Sequence, residues 1–149
     1  MRLPCACMPV PRAAVVDSDV LVLLQSAHVL ERPWCLIELA TALEQGVPIV
    51  GVSLTTGNSP YDFGAASDFL RDLGSQLAVR NPGASEVLQE YLVSIDDLAW
   101  QLSVTLPSII SIGFNPSSSK SITGFATTTR YIEAECARRK STSTRLGEL

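Results

Sequence analysis

Between residues 19 and 53 the apolar positions change period twice. "DVLVLLQ", 19–25, is a nearly continuous apolar run rich in Val and Leu, the pattern of a strand covered on both faces, as in a parallel sheet. "SAHVLER" follows as a loop. From Pro33 the spacing becomes helical, with Leu36, Leu39, Ala40 and Leu43 forming one apolar face. Proline suits the first helical position, where its missing N–H costs nothing, and Gly46 can close the helix in the left-handed conformation. "VPIVGVS", 47–53, is a second buried strand. A strand, a helix and a strand in this order make a βαβ unit with a right-handed crossover.

Downstream the pattern is mostly helical. "LTTGNSPYD", 54–62, is loop by composition. "FGAASDFLRDLGSQLA" reads as one helix with Phe69, Leu70, Leu73 and Leu77 inward. Asn81 is a candidate cap and Pro82 a candidate opening for a short helix through Tyr91. "SIDDLAWQLSVTL" begins with a capping box, Ser94 with Asp97, and Leu98, Trp100 and Leu102 are expected to pack. "SIISI", 108–112, is a candidate third strand. The segment Ser118 to Lys140 is a weaker helix, since Gly124 and the run from Thr127 to Thr129 lower its propensity. No internal repeat is visible. The expected organisation is an irregular segment 1–12, an α/β domain 13–140 and a flexible tail 141–149. Three parallel strands with helices on both faces form a thin sheet. One edge of it should be bare, and a bare apolar edge invites pairing with another chain.

Composition narrows the function classes. The 149 residues suffice for one domain, and 46% hydrophobic with 17% charged residues is globular rather than disordered. A net charge of −4 argues against a nucleic-acid module, which needs a broad basic face. The one basic cluster, Arg138, Arg139, Lys140 and Arg145, reads as a solvated C-terminal face. Cys5, Cys7, Cys35 and Cys136 form no C-x-x-C pair or Cys/His ligand set, so no metal site is expected. Free thiols fit a reducing, cytoplasmic compartment. No apolar run is long enough to span a membrane, and Pro4, Pro9 and Pro11 interrupt any signal-peptide core. No glycine-rich phosphate loop is present.

The register from Asp19 to Val52 resembles the central stretch of Toll/interleukin-1 receptor (TIR) domains. In that family a buried strand ends in a serine, here Ser26. After a loop comes an aromatic-Cys pair, here Trp34 and Cys35. A Glu-Leu pair follows, here Glu38 and Leu39, then the rest of the helix and another buried strand. The resemblance covers this third of the chain; "SIISI" and the helix after it correspond in element order to the family's last strand and helix. It implies a flavodoxin-like three-layer α/β fold and an intracellular signalling role. Many members hydrolyse NAD+ at the nicotinamide–ribose bond, with the glutamate of the W-x-x-x-E stretch essential; others only assemble with partner TIR domains. NAD+ would be a substrate rather than a resident cofactor, and homotypic assembly would be expected. A strand, a helix, a second strand and a long interface loop that precede this stretch in the family have no recognisable counterpart. They would supply the central strand and the pocket wall opposite Glu38, so the chain is expected to be a piece of a longer protein or to be completed by a partner.

The chemistry asked of Glu38 is reasonable on elementary grounds. Breaking an N-glycosidic bond develops positive charge on the ribose, which a nearby carboxylate stabilises. Nicotinamide leaves as a neutral molecule, so no strong general acid is needed. Glu38 is expected in the first turn of its helix, at the rim where open α/β sheets bind ligands; the alternative reading is an acid that merely complements the helix dipole. Ser26, Trp34 and Tyr61 are the candidate substrate contacts. The competing readings are a strand-end serine, a packing tryptophan and a loop tyrosine. His28 and Arg32 lie in the adjoining loop; His28 reads as solvated, and Arg32 reads as an exposed arginine, the alternative being a phosphate contact.

Overall fold

The computed structural model describes residues 10–55, 60–115 and 122–147. Within them lie three strands and seven α-helices in the order α1 (Val10–Val16), β1 (Leu21–Gln25), α2 (Pro33–Gln45), β2 (Ile49–Leu54), α3 (Phe63–Arg71), α4 (Leu73–Arg80), α5 (Ala84–Glu90), α6 (Ile95–Ser108), β3 (Ile112–Phe114) and α7 (Ile122–Gly147). A single 3-10 turn, Val29–Glu31, joins β1 to α2. The fold is α/β: a three-stranded parallel sheet of order β1-β2-β3 with helices around it.

The βαβ unit forms where its sequence signals lie. Pro33 opens α2, and Gly46 closes it at φ 67°, a conformation that costs glycine little because it has no Cβ. Leu36, Ile37 and Leu39 are fully buried. β1 and β2 pair in parallel with Leu23 opposite Gly51 and Gln25 opposite Ser53. Strand side chains alternate between faces. Leu23 and Ile49 therefore join the main core with Val15, α2 and helices α3 to α6, whereas the buried Val50 and Val52 lie outside that cluster. The long helix α7 packs on β2 and β3.

β1 is one edge strand of the sheet and β3 the other. Val22 and Leu24 on β1 remain 40% and 57% exposed. Both belong to the face opposite Leu23, and the main sheet contacts of α7 are with β2 and β3.

Several elements differ from the pattern reading. The third strand is Ile112–Phe114, not 108–112: Ser108 still belongs to α6, and Ile109 caps that helix through an N–H bond to the Leu106 carbonyl. The single helix expected over 63–78 is two, separated at Asp72 by a non-helical φ of −132° and ψ of 47°. Gly83, at φ 91°, occupies the N-cap of α5; the Asn81 side chain instead donates to the Glu31 carbonyl at 2.7 Å. Trp100 is 69% exposed, because it sits two positions from Leu98 and so on the opposite side of α6. α1 extends helix back to residues 10–12, where an irregular segment was expected, and α7 carries helix through 141–147, within the expected tail. Residues 1–9, with Cys5 and Cys7, lie outside the described residues.

Candidate functional site

Alongside the free edge of β1 runs a groove of about 370 Å3. Its floor is Leu21 to Leu24, and one wall is the flank of α2 carrying Cys35, Glu38 and Leu39, with Arg32 just before the helix. Ser26, Val29 and Leu54 complete the lining. Cys35 and Glu38, three residues apart, lie on one side of the first two turns. The groove falls within the size range of small-molecule clefts, about 300–1,000 Å3.

Glu38 and Ser26 therefore share one cavity. Glu38 is half-buried and has no hydrogen-bond or ion-pair partner among the described residues. It lies in the second turn of α2, since no acid occupies the first. The first-turn position expected from sequence is thus corrected, and the helix N-terminus is further from the carboxylate than that reading required. Cys35 sits between Arg32 and Glu38. Burial, and after it the Glu38 charge, push its thiol above the usual range, while Arg32 pulls the other way.

The other two candidates lie elsewhere. Trp34 is absent from the groove lining: the residue is 48% exposed and its ring meets Tyr91 edge-on, with centroids 5.2 Å apart. Tyr61 lines a separate cavity of about 190 Å3 together with His28, Leu30, Glu31, Phe69 and Arg80. Its ring packs edge-on against Phe63 at 4.9 Å, and burial raises its phenol. Asp62, next to it, caps α3 by accepting from the Ala65 N–H at 2.9 Å.

That second cavity contains a charge chain that sequence reasoning missed. His28 Nδ1 lies 3.1 Å from Glu31 Oε2, and Arg80 Nη1 donates to Glu31 Oε1 at 3.0 Å. The His28–Glu31 spacing is visible in the sequence as a local pair; nothing in the sequence couples either to Arg80. A third cavity, about 620 Å3, lies between Ile110, Ile112 and the α7 residues Tyr131, Glu135 and Arg138. There hydrogen bonds from Arg138 lead the effects that hold Glu135 down to about 2.

Among the described residues no group of three or more His, Cys, Asp or Glu side chains is arranged to hold a metal ion, and no helix is long and apolar enough to cross a membrane. No family model, curated protein or solved structure matches the chain.

Proposed function

We propose that this chain is a TIR-type signalling module of the cytoplasm that hydrolyses NAD+ at the nicotinamide–ribose bond, with Glu38 as the working carboxylate. The observation that carries the reading is the position of Glu38. It is half-buried on the wall of a groove it shares with Ser26 and Arg32, and it makes no hydrogen bond or ion pair among the described residues. A carboxylate held this way is available to the ribose ring as positive charge develops at C1′. In the reaction the C1′–N bond breaks, its electron pair goes to the pyridinium ring, and nicotinamide leaves neutral. Water adds its oxygen to C1′ and a proton passes to solvent, giving ADP-ribose. Glu38 stabilises the sugar cation, and Ser26, which lines the same groove, would contact a ribose hydroxyl. Arg32, on the same wall, would meet the pyrophosphate.

The test is nicotinamide release from NAD+, followed by chromatography. Wild-type protein should release it, and Glu38→Gln should lower the rate by about 100-fold or more. Equal rates for the two proteins would remove Glu38 from the chemistry.

A second reading, a non-catalytic module that assembles homotypically with other TIR domains, is favoured by the open edge of β1 and the exposure of Val22 and Leu24. Absence of nicotinamide release from both proteins, even when they are concentrated enough to assemble, would select it.

A further inference from the structure

We infer that the cavity lined by Tyr61 and Phe69 is a binding site for a small uncharged ligand, a single aromatic ring carrying one hydrogen-bonding group. The site is separate from the groove that holds Glu38, and the inference does not depend on NAD+ cleavage.

The turn after β1 separates the two spaces. Ser26, Val29 and Arg32 line the groove, whereas Ala27, His28, Leu30 and Glu31 line the cavity. Residues three apart lie above one another in a 3-10 turn, so Val29–Glu31 and its flanks divide their side chains between the two sides. The far side of the cavity comes from Pro60 to Asp62 after β2, from α3 and from Arg80 of α4. Both loops follow the carboxyl ends of parallel strands, the end at which open α/β sheets bind ligands.

Size and lining set the shape of the ligand. The cavity is about 190 Å3, and a dry cavity of about 150 Å3 holds one benzene ring. Leu30 and Phe69 are buried, while His28, Asp62 and Arg80 are exposed. An apolar interior with a polar rim suits a ring that carries its polar group outward. Tyr61 offers the partner for that group. Its hydroxyl makes no hydrogen bond among the described residues, and burial raises the phenol, which keeps its proton and can donate.

The charges around the cavity already have counterparts. Glu31 accepts from Arg80 Nη1 at 3.0 Å and lies 3.1 Å from His28 Nδ1. Arg80 also sits over the Phe69 ring, 5.7 Å from its centroid. Asp62 meets the positive end of α3, accepting from the Ala65 N–H at 2.9 Å. A charged ligand would give up hydration without finding an unpaired opposite charge, or would break one of these contacts. An uncharged ligand has neither cost.

The test uses the full chain, isotope-labelled, and three probes of one shape: benzamide, which is uncharged, benzoate, an anion, and benzamidine, a cation. Benzamide should shift the methyl signals of Ala27, Leu30 and Ala66 with half-saturation at about 1 mM or below. It should leave those of Leu24 and Leu39 in the groove unmoved. Benzoate and benzamidine should bind at least about tenfold more weakly. Ala65→Leu places a good helix former at an exposed position of the lining. It should fill the mouth and weaken benzamide by about tenfold or more, with Leu24 and Leu39 keeping their wild-type shifts as evidence of folding. No shift at up to about 10 mM benzamide would overturn the inference. So would a charged probe that binds as well as benzamide, undiminished binding to Ala65→Leu, or shifts confined to the groove. None of these outcomes bears on nicotinamide release.

Discussion

Arg80, at the end of α4, donates from Nη1 to Glu31 Oε1 at 3.0 Å, and its neighbour Asn81 donates to the Glu31 carbonyl at 2.7 Å. These two bonds tie the 3-10 turn after β1 to the start of the connection between α4 and α5, 49 and 50 positions along the chain. Burial works against the charged form of Glu31, but the bonds from His28 and Arg80 outweigh it and hold the carboxyl below its usual value of 4.5. A carboxylate lowered on folding adds stability that is fully present above the unfolded value and lost as pH falls through the folded one. Arg80 is half exposed, so the contribution should be small, about 0.5–1 kcal/mol. Urea denaturation at pH 7 should show Glu31→Gln less stable by that amount. The gap should shrink progressively below pH 4.5. A gap that is constant with pH would mean that the charge is not what holds the turn.

The βαβ unit was legible because each of its signals is local: Pro33 before the apolar helix face, Gly46 after it, and a Val/Leu-rich run on either side. The bare edge followed from counting strands. The misread elements are those where an apolar pattern admits two structures. "SIISI" is equally compatible with a strand and with a helix end, and Ile109 is buried at the end of α6 while Ile110 is 82% exposed. The helical period alone contained the answer for Trp100, two positions from Leu98. Asn81 was read as a local cap because its partner, the Glu31 carbonyl, is brought near only by the tertiary fold. The same holds at the site. Glu38 and Ser26 meet in one groove across a short loop, whereas Tyr61 is carried to a different cavity by the direction of the chain after β2.

Gly51 is the one glycine of β2, paired with Leu23 of β1 one position before the pairing with β3 begins. A Cβ there would lie 2.7 Å from Ser111 Oγ and 3.2 Å from Gln25 Oε1. Both of those oxygens are buried without a hydrogen-bond partner among the described residues. Gly51→Ala should therefore destabilise the protein by about 1–2 kcal/mol through overpacking. Ser111→Ala alone removes an unpaired hydroxyl and should be near neutral. The double variant should recover part of the loss, because Ser111 Oγ is the closer obstacle, giving a coupling of about 1 kcal/mol in a double-mutant cycle. Strict additivity would show that the two positions do not touch.

Gly46 offers the contrasting case. Its φ of 67° demands the left-handed region, yet nothing lies within 4 Å of where a Cβ would stand. The cost of Gly46→Ala should then be conformational only, about 1–2 kcal/mol, and Gly46→Asn should cost less because asparagine tolerates that region. Thermal melts of the three proteins order them directly. An alanine variant as stable as the wild type would mean that α2 closes in another way.

The relation of Glu38 to Cys35 gives a measurement of the groove that needs no substrate. Burial first, and the Glu38 charge second, raise the Cys35 thiol; Arg32 opposes them. Only the thiolate alkylates, so Cys35 should react slowly with iodoacetamide at neutral pH. Replacing Glu38 by glutamine removes the second cause and leaves the first. The pH profile of Cys35 alkylation, followed by mass spectrometry of its peptide, should move to lower pH while staying above that of a free thiol. Cys136 on α7 is the internal standard, because its own raised thiol answers to burial and Glu135 rather than to Glu38. Its profile should not move. A Cys35 profile unchanged by Glu38→Gln would mean that the Glu38 carboxylate does not act on the groove at that point, and the ribose-stabilising role of Glu38 would lose its electrostatic basis.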